Sequence, residues 1–246
     1  MLTSKSKYSK GFTLIELLTV IAIIGILAAI IIPTVGNVQA KAHRTTDLNN
    51  MKQVIQSAML YANENDGKFP GTKVRNFNGT GLQNNDLWKW AATLAVNAGV
   101  NDPSFYISKN DSLAPESLPR TILDDTKSGV STEFNNQELS VEVIAGVRQS
   151  DASTTPLIFT RGLENNTGKW TVEKGAYKSE GGHVGYIGGN VSFYKDTLSE
   201  DGNGVFVRAS GARTTQILQV LRTTASVYGS RNSGTGSAAG VAGTGP

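Results

Sequence analysis

The stretch Lys10-Gly11-Phe12-Thr13-Leu14-Ile15-Glu16-Leu17-Leu18-Thr19-Val20-Ile21-Ala22-Ile23-Ile24-Gly25-Ile26-Leu27-Ala28-Ala29-Ile30-Ile31-Ile32-Pro33 decides the class of this chain. From Phe12 to Ile32 it runs for 21 residues, and only Thr13, Glu16 and Thr19 are polar. A run of about 20 mostly apolar residues is long enough to cross a bilayer as a helix. Lys5, Lys7 and Lys10 precede the run, and no lysine or arginine lies within it. Flanking positive charge stays on the cytoplasmic side, which predicts a cytoplasmic N-terminus and an exported remainder.

Three readings of this segment compete. An ordinary signal peptide has a shorter apolar region, about 7–15 residues, and a small-x-small cut site. Val38-Gln39-Ala40 supplies such a site, but the run is too long. A plain membrane anchor explains the length and leaves Glu16 unexplained, because an ionisable group inside a membrane costs about 2.5 kcal/mol or more and is usually functional. The third reading covers both features. Lys10 to Glu16, continued through Ile30 to Pro33, resembles the processing site of type IV pilins and type II secretion pseudopilins. The resemblance covers roughly residues 1–65.

That resemblance implies a prepilin peptidase that cuts after Gly11 and methylates the new amino group of Phe12, so the apolar helix is kept. It also implies a role for Glu16. A buried carboxylate needs a partner or must be neutralised. In pilin-like proteins the glutamate meets the freed amine of a neighbouring subunit, which would give assembly a register-setting contact. The competing reading places Glu16 at the lipid headgroups, near the helix end, where its cost is lower. Pro33 removes a backbone donor and crowds the preceding turn, which predicts a kink or local melting. It equally marks the membrane boundary. Gly25 and Gly36 add flexibility.

Beyond Pro33, Val38, Ala42, Thr45, Leu48, Met51, Ile55, Ala58, Met59 and Ala62 recur at three- and four-residue steps, one apolar stripe of an amphipathic helix. Asn63-Glu64-Asn65-Asp66-Gly67 ends it with turn chemistry. Such a helix would be on the order of 80 Å long at 1.5 Å per residue. Its first half, apolar all round, would pack with lipid or other subunits, and its second half on its own domain. The predicted organisation is a leader over 1–11, a helix over 12–65 with 12–32 in the membrane, an exported body over 66–228 and a flexible Gly/Ala/Ser/Thr-rich tail over 229–246.

Within the body, Asp66-Gly67-Lys68-Phe69-Pro70 resembles the turn after the helix in pseudopilin-like proteins. Asp86 caps a predicted helix over Leu87–Ala98, closed by Gly99. Residues 101–136, with Pro103, Pro115 and Pro119, predict a long surface loop. Ser140–Val147, Leu157–Thr160, Trp170–Glu173 and Val205–Arg208 are strand candidates. The clearest signal is His183–Tyr194, two β-prone runs about Gly188-Gly189, which read as a hairpin. Thr214–Tyr228 carries the spacing of a short helix. Together these predict an α+β fold, a pilin-like roll in which a long helix packs on a small antiparallel sheet.

Composition excludes several chemistries. The 246 residues hold no cysteine and two histidines, which removes disulfides, thiolate metal sites and cysteine nucleophiles and argues against a multi-histidine metal centre. Loss of a leader carrying three lysines would cancel the formal charge of +3, and no basic stripe is present, so no nucleic-acid partner is expected. His183, Ser192 and Asp196 lack the setting of a hydrolase triad, and no enzymatic role is expected. Asp196, Glu200, Asp201 and Asn203 cluster oxygen donors around Gly202 and Gly204, a candidate calcium loop. A solvated acidic turn is the competing reading, since the spacing is not that of an EF-hand. No other cofactor is expected.

The expected function is structural, as a subunit of a type II secretion pseudopilus or a type IV pilus-like filament serving protein secretion. Expected partners are the peptidase, sibling subunits, and an assembly platform with its ATPase. The expected location is the bacterial inner membrane, with the body in the periplasm, and after assembly a periplasmic or extracellular filament. The alternative is a membrane-tethered periplasmic binding or lectin-like module with a borrowed pilin leader that does not polymerise.

Overall fold

The computed structural model describes residues 12–71, 86–135, 137–230, 241–242 and 244. The leader, including Gly11, lies outside the described residues, as do the side chain of Pro33 and residues 231–240 of the tail. The chain divides into two compact units, residues 1–42 and 43–246.

Helix α1 (Leu14–Glu64) has 51 residues, and its helical assignment continues through Pro33. In the second unit its inward face is Met51, Val54, Ile55, Ala58, Tyr61 and Ala62, all buried. The apolar stripe therefore engages later than its spacing predicts. Val38 is 65% exposed, Ala42 and Thr45 are exposed, and Leu48 is half-buried. The helix ends where Asp66 and Gly67 both take positive φ, 55° and 71°, and where the Gly67 amide donates to the Ala62 carbonyl at 2.9 Å.

Helix α2 (Leu87–Ala98) begins and ends as its sequence predicts. The Asp86 carboxylate accepts from the Lys89 amide, and Gly99 takes a left-handed φ of 75°. Trp90 is fully buried, and its Nε1 donates to the Pro70 carbonyl at 3.1 Å. Residues 101–136 differ from the predicted surface loop. They include the short helix α3 (Thr132–Asn135), and they send Tyr106, Ile107, Ile122, Leu123 and Phe134 into the core. Prolines prevent regular structure there without preventing burial, because side chains satisfy the backbone across the segment. Asn101 Oδ1 accepts from the amides of Ile122 and Leu123 at 3.1 and 2.9 Å.

The sheet contains β1 (Val141–Ala145), β2 (Pro156–Thr160), β3 (Gly182–Tyr186), β4 (Val191–Tyr194), β7 (Ser226–Tyr228) and β8 (Val241–Ala242) in the order β4-β3-β2-β1-β7-β8. All of its pairings are antiparallel. Every residue of β1, β2 and β3 is buried, so both faces of the central sheet are covered. The hairpin of β3 and β4 turns at Gly188-Gly189, where Gly189 has φ 89°. A separate ribbon pairs β5 (Phe206–Val207) with β6 (Arg213–Thr214).

Two other expectations are corrected. Thr214–Tyr228 is not a helix: it holds a short 3-10 turn (Ile217–Val220) and then β7. Ser226, Val227 and Tyr228 take strand geometry because they complete the open edge of β1, with Val143 opposite Tyr228 and Ala145 opposite Ser226. Trp170–Glu173 forms no strand, only an isolated bridge from Trp170 to Leu163. Among the described residues of the tail, Gly229 and Ser230 are buried, and Val241–Ala242 pair with β7.

Candidate functional site

The first unit presents an unusual surface. Between Leu14 and Ile32, thirteen large apolar side chains are exposed, from Val20 at 45% to Leu14 at 78%. Burying such a side chain is worth about 1.5–3 kcal/mol. The segment therefore forgoes tens of kcal/mol if it stays in water. By length and composition it can cross a membrane.

Its tip has a defined polar geometry. Glu16 Oε2 accepts from the Thr13 amide at 2.8 Å and from the Thr13 hydroxyl at 2.7 Å. In return the Glu16 amide donates to Thr13 Oγ1 at 3.3 Å. This is a capping box, in which a threonine and a glutamate three residues later satisfy each other's donors at a helix start. The spacing Thr13-x-x-Glu16 is the sequence signal for it, and Thr13 is absent from the expected site residues. Phe12, the expected new N-terminus, is 75% exposed. The arrangement can hold a carboxylate beside a helix start and within reach of a cation placed there.

In the second unit, the first turns of α1 there are keyed to the body by a polar network. The Asp47 carboxylate accepts from Ser108 Oγ and, at 2.7 Å, from the Tyr177 hydroxyl. Burial pushes its pKa up, opposed by those two hydrogen bonds. Tyr177 Oη lies 3.2 Å from His183 Nδ1. His183 is 2% exposed, and burial, with the Arg44 charge nearby, holds its pKa down at about 4. Arg44 sits over the rings of Tyr177 and Phe193 at 5.4 and 5.3 Å and forms an ion pair with Glu180.

Arg161 roots this network. It is fully buried and donates to Asp111 Oδ1, the Leu139 carbonyl and the Lys174 carbonyl at 2.7, 2.7 and 2.8 Å. Ser140 Oγ donates to Asp111 Oδ2 at 2.7 Å and accepts from the Ser108 amide at 2.8 Å. A continuous chain thus runs from Arg161 through Asp111, Ser140 and Ser108 to Asp47. No motif signals it, because its partners lie tens of residues apart in sequence. His183, Ser192 and Asp196 form no triad: His183 is spent on Tyr177, and Asp196 Oδ1 accepts from the Leu198 amide at 3.0 Å.

Among the described residues, no group of three or more histidine, aspartate or glutamate side chains is placed to hold a metal ion. Asp201 is held within its own turn by Ser199 Oγ and the Asn203 amide. Those hydrogen bonds, the one from Ser199 foremost, lower its pKa to about 2.

Comparison with known proteins matches the N-terminal part of the chain. Residues 6–32 match the family described as the prokaryotic N-terminal methylation motif. The chain is 37% identical over 93 residues to the type IV major fimbrial protein FimA of Dichelobacter nodosus, covering 37% of this chain and 56% of that protein. It is 43% identical over 58 residues to the type IV major pilin protein PilA of Myxococcus xanthus, covering 24% of this chain and 26% of that one. Against a fimbrial protein of Pseudomonas aeruginosa it is 46% identical over 61 residues, 24% of this chain and 40% of that one. The chain thus matches between about a quarter and just over half of the length of these relatives. No solved structure matches it.

Proposed function

We propose that this type IV pilin-like protein is a structural subunit of a helical filament, held in the inner membrane by α1 until it is assembled. The observation that carries this reading is the exposed apolar helix with Glu16 at its tip, beneath a matched methylation motif. A prepilin peptidase cuts after Gly11 and methylates Phe12. The freed amine then lies one residue before Thr13, beside the capping box. In the filament, Glu16 leaves Thr13 and pairs with the amine of a neighbouring copy, while the apolar flanks of α1 exchange lipid for one another. Pro33 lets the helix bend or unwind as copies pack. An assembly platform with its ATPase extracts each subunit, and the body faces the periplasm.

The relatives are pilins and fimbrial proteins, structural proteins rather than enzymes, which favours a type IV pilus-like filament. A secretion pseudopilus is a second reading, favoured by the turn at Asp66 to Pro70. There the backbones of Lys68 and Arg148 form an isolated antiparallel bridge, and Phe69 is 2% exposed. Cross-linking of single cysteines placed along 12–32 tests the filament. A ladder of helix-to-helix adducts is expected. Monomers alone would favour the tethered binding module instead.

A further inference from the structure

A cleft of about 210 Å3 lies between the β3–β4 hairpin, the Ser153-Thr154 segment and strand β5. Its floor follows from the strand register. Gly182 pairs with Tyr194 and Val184 with Ser192. Side chains alternate along a strand, so Tyr186, Asn190, Ser192 and Tyr194 share one face. The opposite face carries Gly185, where a Cβ would meet Ile55 of α1 at 2.6 Å. The cleft therefore opens on the sheet face turned away from the docked half of α1. Val205 and Val207 line its other side.

The chemistry of this lining is selective. Among the described residues, no charged side chain lines the cleft, so nothing there answers a phosphate, a carboxylate or an ammonium group. Nor is the lining purely apolar. Tyr186 is 8% exposed, and its hydroxyl donates to that of Tyr194 at 3.0 Å, which leaves Tyr194 its own proton to donate. The Asn190 amide and the hydroxyls of Ser192, Ser153 and Thr154 have no hydrogen-bond partner among the described residues. Neutral donors and acceptors thus surround two aromatic rings and two valines.

We infer that this cleft is a binding site for a neutral sugar. Such a ligand carries hydroxyls around a ring whose C–H faces are apolar. The unused amide and hydroxyls exchange hydrogen bonds with its OH groups, while the tyrosine rings and valines cover its C–H surface. Sites for drug-sized ligands run to about 300–1,000 Å3, so this smaller one fits a single sugar ring or the terminal residue of a glycan. A peptide fits less well, because extended peptides add to a sheet edge and the cleft offers a sheet face. The site is complete within one subunit and does not depend on assembly.

Saturation-transfer NMR of the full-length protein tests this, in a detergent whose headgroup is not a sugar. The probes are D-glucose, D-galactose and N-acetyl-D-glucosamine, each at about 50 mM, with N-acetyl-alanine amide as the peptide control. At least one sugar is expected to bind, with a Kd of millimolar order, and the peptide is expected to give no signal. Asn190→Ala and Ser192→Ala each remove one polar group and should each weaken that sugar at least threefold, with thermal unfolding midpoints within about 2 °C of wild type. Val207, 39% exposed, can be enlarged without disturbing the core, and Val207→Trp should fill the cleft and abolish the signal. Silence from all three sugars with folded wild-type protein overturns the inference. So does a sugar signal that these variants leave unchanged, or a signal from the peptide alone.

Discussion

Glu16 closes on Thr13 within its own chain: one carboxylate oxygen takes both the Thr13 amide, at 2.8 Å, and the Thr13 hydroxyl, at 2.7 Å. A glutamate read from sequence as an unpaired charge in lipid is therefore already supplied with donors in the single subunit. This gives the residue two states. In the membrane-held subunit it caps its helix, and in the proposed filament it answers an amine on the next copy. The cap lowers the cost of storing the charge, and the ion pair supplies the stronger partner.

The two states separate by substitution. Glu16→Gln keeps a capping-box acceptor, since glutamine serves there as well as glutamate, but it removes the charge. We predict normal membrane insertion with filament yield reduced at least tenfold, as for Glu16→Ala. Thr13→Val removes the cap, worth about 1 kcal/mol, and should lower the amount of stable subunit more than Glu16→Gln does. Quantitative blotting of membrane and sheared-filament fractions reads both effects. Wild-type assembly of Glu16→Gln would reduce Glu16 to a cap.

Arg161 should be among the most sensitive positions of the body. Removing one partner of a buried ion pair strands the other charge and costs about 3–5 kcal/mol. Arg161→Met should destabilise the chain by that amount in denaturant unfolding of the detergent-solubilised protein. The double variant Arg161→Met/Asp111→Leu should be less destabilised than Arg161→Met alone. Additive losses would mean that Asp111 does not depend on Arg161.

Acid should loosen the body through His183. Its pKa falls from 6.5 to about 4 on folding, burial being the larger cause. Between those values the unfolded chain binds a proton that the folded chain refuses. Stability is thus lost as pH falls from 6.5 towards 4, by roughly 3 kcal/mol in full. Asp47 has the opposite sign: its pKa is raised on folding, so it gains stability as pH falls through the raised value. Unfolding midpoints at pH 7 and pH 4.5 should therefore differ more in wild type than in His183→Asn. Equal differences would remove His183 as the cause.

The helix–sheet contact depends on Gly185. A Cβ there would lie 2.6 Å from Ile55 Cδ1 and 3.0 Å from Ile158 Cγ2, so Gly185→Ala should cost about 1–3 kcal/mol by overpacking. Adding Ile55→Val, which deletes the Cδ1 atom, should return part of it. Thermal unfolding of the single and double variants decides the point, and no recovery would place the strain elsewhere.

The legible parts of the sequence were those whose signals are local. The apolar run over 12–32, the Asp86 cap, the Gly99 stop and the Gly188-Gly189 turn each depend on neighbours in the chain, and each lies where its pattern places it. Thr13-x-x-Glu16 was equally local, but the charge in the apolar run drew the reading to Glu16 alone. What stayed hidden was set by distant partners. β7 is a strand because β1 has an open edge. Tyr106, Ile107, Ile122, Leu123 and Phe134 are buried in a segment where Asn101, Ser108 and Asp111 find acceptors and donors far along the chain. Arg161 carries no local signal, because its partners, Asp111 and the carbonyls of Leu139 and Lys174, lie 13 to 50 residues away. Asp201 takes its partners within its own turn, from Ser199 Oγ and the Asn203 amide.

The account turns on the fate of the apolar helix after export. Mass spectrometry of the N-terminal peptide from membrane-extracted and filament-borne protein measures it. The account predicts a chain beginning at N-methylated Phe12 in both pools, with residues 12–32 intact. A chain beginning at Lys41, or one that still carries Met1 in the filament pool, would contradict it.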